Sequence, residues 1–361
     1  MQINSYKGGM YGMAITAKDI ALKLGVSPSA VSLAMNGRPG ISVETREKIL
    51  AEAVRMGYTS VKKTPTESGR NIRYVIFLDE GSVVQETSFY SILLQGMESL
   101  SKTRGYNVLV SYFRADSDWS SQIQASGKDV DGLIVLGTEV TDRHIRKAIE
   151  HGLGRLPIPM VLVDNATSLV DIDCVVSDNL RGAYQATAYL LEQGHSDVAY
   201  LRSKCRIDNF DERTLGYSRA RKAYRKLEPP VFIDVGVSSE LAYYDMCKWL
   251  DHNVLPYTAL FAENDIIAAA CVRALKSHGY SVPQDVSIVG FDDMPISSMI
   301  DPPLTTIRVM KEQMGEIAMQ CLLDRIENGS FALNRPRIGT YRIVISTHLV
   351  ERDSTAVPKQ L

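Results

Sequence analysis

Beyond residue 72 the chain alternates between short apolar runs and stretches of helical periodicity. Runs such as YVIFL, GLIVLG and MVLVDN are continuous and rich in β-branched residues, which is typical of parallel strands buried on both faces. The helical stretches between them supply the crossovers that parallel strands need. About ten such runs are more than one compact sheet usually holds, so the pattern predicts an α/β body of two doubly wound parallel-sheet subdomains.

Residues 16–58 have a different pattern, which predicts three short helices. Each helix begins with a residue suited to cap it, and these residues are Thr16, Ser27 and Ser42. Gly25 ends the first helix, and Pro28 takes the first position of the second helix. Two helices that cross over such a short turn form a helix-turn-helix, so we expect an all-α head that binds DNA. The alternative is a small three-helix bundle without a role in DNA binding.

The charge distribution favours the DNA-binding interpretation. Residues 1–63 carry nine Lys and Arg residues and four acidic residues, whereas the rest of the chain carries 31 basic and 38 acidic residues. A basic head on an acidic body suggests that the head meets a polyanion. Chance variation over a short segment is the alternative explanation.

Cysteine usage and hydropathy bear on the compartment. The five cysteines are dispersed, without a C-x-x-C pair, which fits reduced thiols better than a disulfide framework. No run of about 18 apolar residues predicts a membrane span, and the first residues lack the apolar core of a secretory signal. We therefore expect a cytoplasmic protein without membrane contact.

The segment TAKDIALKLGVSPSAVSLAMNGRPGISVETREKILAEAVRMGY, from Thr16 to Tyr58, resembles the head of the lactose/galactose-repressor (LacI/GalR) family without a gap. The motifs ERTLGYSRA, ALFAENDIIAAACVRAL, SVPQDVSIVGFDDMP and DPPLTTIRV resemble the body of the same family and its periplasmic-binding-protein relatives. The resemblance implies a homodimeric transcription regulator, a repressor by family default, without a cofactor. It implies three partners: a pseudo-palindromic double-stranded DNA operator, a small-molecule effector, and a second copy of the chain.

The family's pattern implies which residues of the head contact DNA. The base-reading positions are Pro28, Ser29 and Leu33 on the second helix. The phosphate-positioning residues are Thr16, Ser27, Ser32, Asn36, Ser42 and Thr45, and Ala17 and Lys18 complete the predicted set. Many members have an Arg where this chain has Leu33, and an apolar side chain suits a thymine methyl group instead. Helix capping is the alternative role for Thr16, Ser27 and Ser42, and both roles can hold together.

Sequence texture and the resemblance together predict the domain boundaries. We expect a disordered leader (1–13), the head (14–60), a hinge (61–71), the body (72–350) and a tail (351–361). The first subdomain would comprise about residues 72–174 and 301–334, and the second about residues 175–300 and 335–350. The hinge departs from the family, because Glu67 lies near the position where many members have a Leu that wedges into the minor groove.

Several polar residues follow the predicted strands, where open α/β sheets bind their ligands. By the family's pattern, the residues that line a cleft between the subdomains are Asp164, Arg213, Asn264 and Asp292, with Phe89 and Tyr90 as aromatic surface. Carboxylate, amide and guanidinium groups bind hydroxylated rings, so the expected effector is a sugar, a nucleobase or a similar polar metabolite. The alternative for Phe89 and Tyr90 is a place in the core. Asp265 and Asp293 are expected to cap helices beside the cleft.

The chain offers no recognisable catalytic or metal-binding set. It has no Walker A, G-x-G-x-x-G or HExxH motif, and His195 reads as a structural residue at a helix end. Asp292 and Asp293 could hold Mg²⁺, but ligand binding accounts for the same residues. Two other classes remain: a transport-type binding protein, which the missing signal peptide disfavours, and an enzyme with an accessory DNA-binding head, which the missing catalytic set disfavours.

Overall fold

The computed structural model describes residues 16–35, 40–56, 70–79, 83–85, 87–226, 228–327 and 339–358. The chain divides into two units, Met1–Gly69 and Arg70–Leu361, which correspond to the head and the body. The predicted leader, Asn36 and most of the hinge, including Glu67, lie outside the described residues.

The head contains three helices: α1 (Ala17–Leu24), α2 (Pro28–Met35) and α3 (Val43–Arg55). Their ends follow from local capping chemistry. Gly25 adopts a φ of 67° and ends α1. The Ser27 hydroxyl accepts a hydrogen bond from the Ala30 N–H at 3.1 Å, and the Ser42 hydroxyl accepts one from the Thr45 N–H at 3.1 Å. The predicted capping roles of Ser27 and Ser42 are therefore confirmed.

The first sheet of the body has six strands in the order β11-β5-β4-β3-β1-β2, all paired in parallel. The strands are β1 (Arg70–Leu78), β2 (Tyr106–Arg114), β3 (Gly132–Leu136), β4 (Met160–Val163), β5 (Asp173–Ser177) and β11 (Arg342–Ile345). Helices α4 (Phe89–Thr103) and α12 (Lys311–Glu327) cover one face, and α5 (Trp119–Ser126) and α6 (Asp142–Glu150) cover the other. The inner strands β1, β3, β4 and β5 are buried on both faces, which is why they read as continuous apolar runs.

The second sheet also has six strands, in the order β12-β10-β9-β8-β6-β7. The strands are β6 (Ala199–Ser203), β7 (Phe232–Val235), β8 (Ala259–Ala262), β9 (Ser287–Asp292), β10 (Thr305–Arg308) and β12 (His348–Val350), and only the β10–β12 pairing is antiparallel. Its helices are α7 (Asn179–Glu192), α8 (Asp208–Ala223), α9 (Ser239–His252), α10 (Asp265–Ser277) and the short α11 (Pro295–Met299). The predicted fold class, a helical head followed by two parallel-sheet subdomains, is confirmed.

The sheet order corrects two of the predicted subdomain boundaries. The sequence places residues 301–334 in the first subdomain, but strand β10, which lies within them, pairs with β9 in the second sheet. The sequence places residues 335–350 in the second subdomain, but strand β11, which lies within them, pairs with β5 in the first sheet. Both runs are short and rich in β-branched residues, and such a run has the same sequence character in either sheet, so its sequence does not reveal its partner.

Helices α4 and α12 approach each other at two glycines. A Cβ atom on Gly96 would overlap the carbonyl oxygen of Glu312, and a Cβ atom on Gly315 would overlap the carbonyl oxygen of Leu93. Only glycine therefore allows this packing distance.

Residues 351–358 pack against the second sheet. The buried Ser354 hydroxyl donates to the Ile288 carbonyl at 2.6 Å and accepts from the Thr305 N–H at 2.8 Å. The His195 ring bonds to the Thr258 hydroxyl at 2.9 Å and to the Ala356 carbonyl at 3.1 Å, which fits the structural role expected for this histidine. Within the described residues, no helix has both the length and the apolar composition needed to cross a bilayer.

Candidate functional sites

A cavity lies in the body where the carboxyl ends of strands from both sheets face each other. The structure brings all six residues of the predicted effector set together around it: Phe89, Tyr90, Asp164, Arg213, Asn264 and Asp292. The first three come from the first subdomain and the last three from the second. The partly open cavity measures about 30 Å³, which gives room for about two water molecules. A ligand of sugar size can therefore enter only if side chains move or the subdomains separate.

Arg213 is the most extensively bonded of these residues. Its Nε donates to Asn179 Oδ1 at 2.9 Å, and its two terminal nitrogens donate to the Glu263 carbonyl at 2.5 Å and to Asp292 Oδ1 at 2.9 Å. The guanidinium carbon also lies 3.8 Å from the centre of the Phe291 ring. The Arg213 side chain is only 4% exposed, so its charge is both fixed in position and paired with a carboxylate.

Asp164 has a different environment, in which the direct hydrogen-bond donors are uncharged. Its backbone φ is 64°, in the left-handed region, and its carboxylate accepts from the Thr138 hydroxyl at 2.6 Å. The Asn209 amide donates to the Asp164 carbonyl at 3.1 Å, which links the two subdomains across the cleft. Burial raises the pKa of Asp164 to about 7, although the Thr138 hydrogen bond and the charge of Arg213 lower it.

Asp292 connects the cleft to the segment that joins the subdomains. Its φ of 102° is unusual for a residue with a side chain. Burial raises the pKa of the Asp292 carboxyl, even though Arg213 and Lys311 favour its charged form. The Lys311 ammonium group, at the start of α12, donates to the Asp292 carbonyl and to the Asp293 carbonyl. A residue of the first subdomain therefore holds the strand end that carries a cleft carboxylate.

The expected capping roles of Asp265 and Asp293 are wrong. The cap of α10 is Asn264, whose Oδ1 accepts from the Ile267 N–H at 2.8 Å. Asp265 is buried beneath the cleft and accepts from the Met294 N–H at 2.7 Å, and burial raises its pKa to about 8. Asp293 instead pairs with Arg308 and Arg352, at 2.6 and 2.7 Å. Hydrogen-bond donors from distant parts of the chain bind these two carboxylates in place of a helix end, and the spacing of residues in the sequence does not reveal those donors.

Three polar residues of the cavity lining, Thr87, Thr138 and Asn209, were not predicted from the sequence. Thr138 and Asn209 each had a signal in the sequence. Thr138 directly follows the strand run GLIVLG, and Asn209 precedes Arg213 by four residues, which places both side chains on one face of α8. The apolar part of the lining includes Val83, Val84, Ile207 and Phe210.

In the head, α2 turns one face inward and the other outward. Val31 and Ala34 are fully buried against α1 and α3. The predicted DNA-contacting residues that are exposed are Thr16, Lys18, Ser27, Pro28, Ser29, Ser32 and Ser42, and those that are half-buried are Ala17, Leu33 and Thr45. The start of α2, with its cluster of Ser hydroxyls, is therefore accessible to a partner.

Comparison with known proteins gives matches in both units. Residues 16–60 match the model of bacterial regulatory proteins of the lacI family, and residues 187–355 match a periplasmic binding protein-like domain. The transcriptional repressor CytR of Escherichia coli K12 is 29% identical over 353 residues, covering 95% of this chain and 96% of CytR.

Two solved structures resemble the chain. A complex of the transcriptional regulator CelR with cellobiose is 25% identical, with a TM-score of 0.67 over 94% of this chain and 99% of that one. The lac repressor dimer bound to operator and the anti-inducer ONPF is 22% identical, with a TM-score of 0.66 over 95% of this chain and 100% of that one. The second likeness is one of fold.

Proposed function

The chain belongs to the lacI family of bacterial regulatory proteins and is a homodimeric, DNA-binding transcription regulator rather than an enzyme, and from this premise we propose how its DNA affinity is controlled. A small polar metabolite binds among the six cleft residues and controls the affinity of the protein for an operator. The observation that carries the proposal is the convergence of polar groups from both subdomains on one cavity. A ligand that bonds to both subdomains favours one arrangement of them, and it shifts DNA affinity by its differential binding to the two arrangements.

The charges in the cleft favour an uncharged ligand over an anion. The Arg213 guanidinium is paired with Asp292 at 2.9 Å, and the nearby Arg206 is paired with Glu263 at 2.7 Å. An anionic ligand would therefore lie beside the Asp164 carboxyl and the Asp292 carboxylate. Neither Arg213 nor Arg206 would be free to compensate its charge. A neutral ligand can instead donate its hydroxyl or N–H groups to Asp164. The cellobiose in the CelR complex is a ligand of this uncharged, hydroxylated class.

Two contacts between the subdomains are suited to respond to the ligand. The bond from the Asn209 amide to the Asp164 carbonyl must break when the cleft opens, because its partners lie on opposite sides. The Lys311 contacts to the Asp292 and Asp293 carbonyls lie at the subdomain junction. Ligand binding at Asp164 and Asp292 is therefore positioned to change the angle between the subdomains.

The head supplies operator recognition in this proposal. The exposed start of α2, with Pro28 and Ser29, enters the major groove, and Leu33 contacts a thymine methyl group. Because the regulator is a dimer, two copies of α2 read two half-sites about 34 Å apart, one turn of the double helix. We place the protein in the cytoplasm, where the operator DNA lies.

The dimer surface is proposed from exposed apolar side chains. Leu109, Val110 and Tyr112 lie exposed on the edge strand β2, and Leu241 and Tyr244 lie exposed on α9. Exposed apolar side chains grouped in this way commonly mark protein contacts.

The test is selection of full-length protein on random double-stranded DNA, followed by fluorescence anisotropy on the selected site with and without a panel of sugars and nucleosides. We expect a pseudo-palindromic site whose affinity changes with at least one panel member. Ser29→Ala should change the selected sequence, whereas Ser117→Ala, on the body, should not. A protein with no sequence preference under any of these conditions would contradict the proposal.

A further inference from the structure

A second cavity, of about 70 Å³, lies in the first subdomain between the sheet and helices α5 and α6. Four aromatic rings line it, those of Phe77, Phe113, Trp119 and His144, together with Ser126 of α5 and aliphatic side chains from α6 and β4. The lining side chains turn apolar atoms to the space, including those of His144 and Ser126. This cavity shares no lining residue with the effector cleft.

The rings that line this cavity hold one another in place. Phe113 and Trp119 make an edge-to-face contact with centroids 4.9 Å apart, and Phe77 lies 5.8 Å from Phe113. The Trp119 indole N–H donates to the Ala115 carbonyl at 2.9 Å, so its polar atom is turned away and satisfied. The Lys147 ammonium group lies 4.6 Å from the centre of the indole ring. These contacts hold the wall in place, because the cavity could collapse only if they were broken.

An apolar cavity of this kind excludes polar solutes, because a buried polar group without a hydrogen-bond partner is costly. Cavities of about 150 Å³ with Leu, Ile and Phe walls stay dry and bind benzene or xenon. We propose that this cavity is a second ligand site, which takes a small uncharged apolar molecule of a few carbon atoms. The proposal is independent of the effector assignment, since the two sites have different walls and opposite polarity.

The strands between the two cavities give the apolar site a route to the cleft. On β3, Val135 faces the apolar cavity and the next residue, Leu136, faces the cleft. On β4, Leu162 lines the apolar cavity two residues before Asp164. A molecule that displaces these strands by a few tenths of an ångström would move cleft groups attached to the same backbone.

The chain has two tryptophans, so Trp249→Phe leaves Trp119 as the reporter inside the cavity. The probe is chloroform, whose heavy atoms quench indole fluorescence, and iodide is the polar comparison. We expect saturable quenching by chloroform and weak quenching by iodide, since Trp119 is 3% exposed. Quenching that rises linearly with chloroform, without saturation, would overturn the proposal.

Two variants in the Trp249→Phe protein occupy the cavity from different elements. Ala148→Leu fills it from α6 and Ser126→Leu fills it from α5, and the matched control Ala125→Leu adds the same side chain at an exposed position of α5. We expect each filling variant to weaken chloroform affinity at least tenfold and the control to leave it unchanged. If Ala148→Leu does not fold, Ser126→Leu decides. Equal affinity in the folded filling variants and the control would refute the site.

Discussion

Replacing Arg213 with Ala tests the packing of the cleft and its proposed role together. The Arg213 side chain is 4% exposed and its partner Asp292 is 12% exposed. The substitution leaves the Asp292 carboxylate buried without its cation, and it leaves the Asn179 side-chain oxygen and the Glu263 carbonyl without their donor. A ligand that depends on this arrangement loses its binding site as well.

The size of the stability loss follows from these contacts. Removing one member of a buried ion pair costs about 3–5 kcal/mol. In a body that spans Arg70–Leu361, each kcal/mol lowers Tm by about 2 °C. We therefore expect Arg213→Ala to lower the ligand-free Tm by about 6–10 °C, and to abolish the rise in Tm that an effector causes.

Differential scanning fluorimetry with and without the metabolite panel measures both effects. The matched control is Arg221→Ala, because the Arg221 guanidinium is equally buried and bonds both oxygens of Asp197, at 2.9 and 2.7 Å, away from the cleft. This control should lose similar stability but keep its response to the effector. Full retention of the response in Arg213→Ala, or equal loss in Arg221→Ala, would refute the cleft assignment. Operator affinity without ligand should survive in both variants.

Three further predictions address titration, DNA reading and packing. Because burial raises the pKa of Asp164 to about 7, well above the value of about 4 in an unfolded chain, the folded protein retains a proton that the unfolded chain releases. The contribution of Asp164 to the free energy of unfolding, measured in urea, should therefore fall as pH rises from about 4 to 7. Asp164→Asn should make this fall smaller, and an unchanged pH profile would contradict the burial argument. Leu33→Arg should add a guanine to each selected half-site, because a guanidinium bonds guanine O6 and N7, and an unchanged site from random-DNA selection would show that residue 33 does not face bases. Gly96→Ala should lower Tm by several degrees, because its Cβ overlaps the Glu312 carbonyl oxygen and overpacking costs about 1–3 kcal/mol; Gly154→Ala, whose Cβ meets nothing within 4 Å, is the control, and equal Tm values would disprove the steric argument.

The helices of the head were predictable because their signals are local. Thr16 precedes α1 and Gly25 ends it. Ser27 caps α2 by accepting a hydrogen bond from the N–H of Ala30, only three residues later. The alternation of strands and helices in the body was equally predictable, because strands that are buried on both faces of a sheet appear in the sequence as continuous apolar runs. The six cleft residues were placed by resemblance to a family, and the structure brings them together.

Features that depend on distant partners were not predictable from sequence. Strand β11 joins β5, which lies more than 150 residues earlier in the chain, and nothing within Arg342–Ile345 specifies that pairing. The sequence predicts a capping role for Asp265 because this residue begins a helix, but its partners Met294 and Thr306 are brought near only by the packing of the second subdomain. The apolar cavity arises in the same way, from how α5 and α6 settle on the sheet.

The order of strands along the chain has a consequence for biosynthesis. The last strand added to the first sheet is β11, and the last added to the second sheet is β12. The first sheet cannot be completed before residue 345 has left the ribosome, and the second cannot be completed before residue 350 has done so. The three helices of the head, in contrast, are contiguous and can form as soon as they emerge. A chain released early, by termination within the body, would thus carry a folded DNA-binding head attached to an incomplete effector domain.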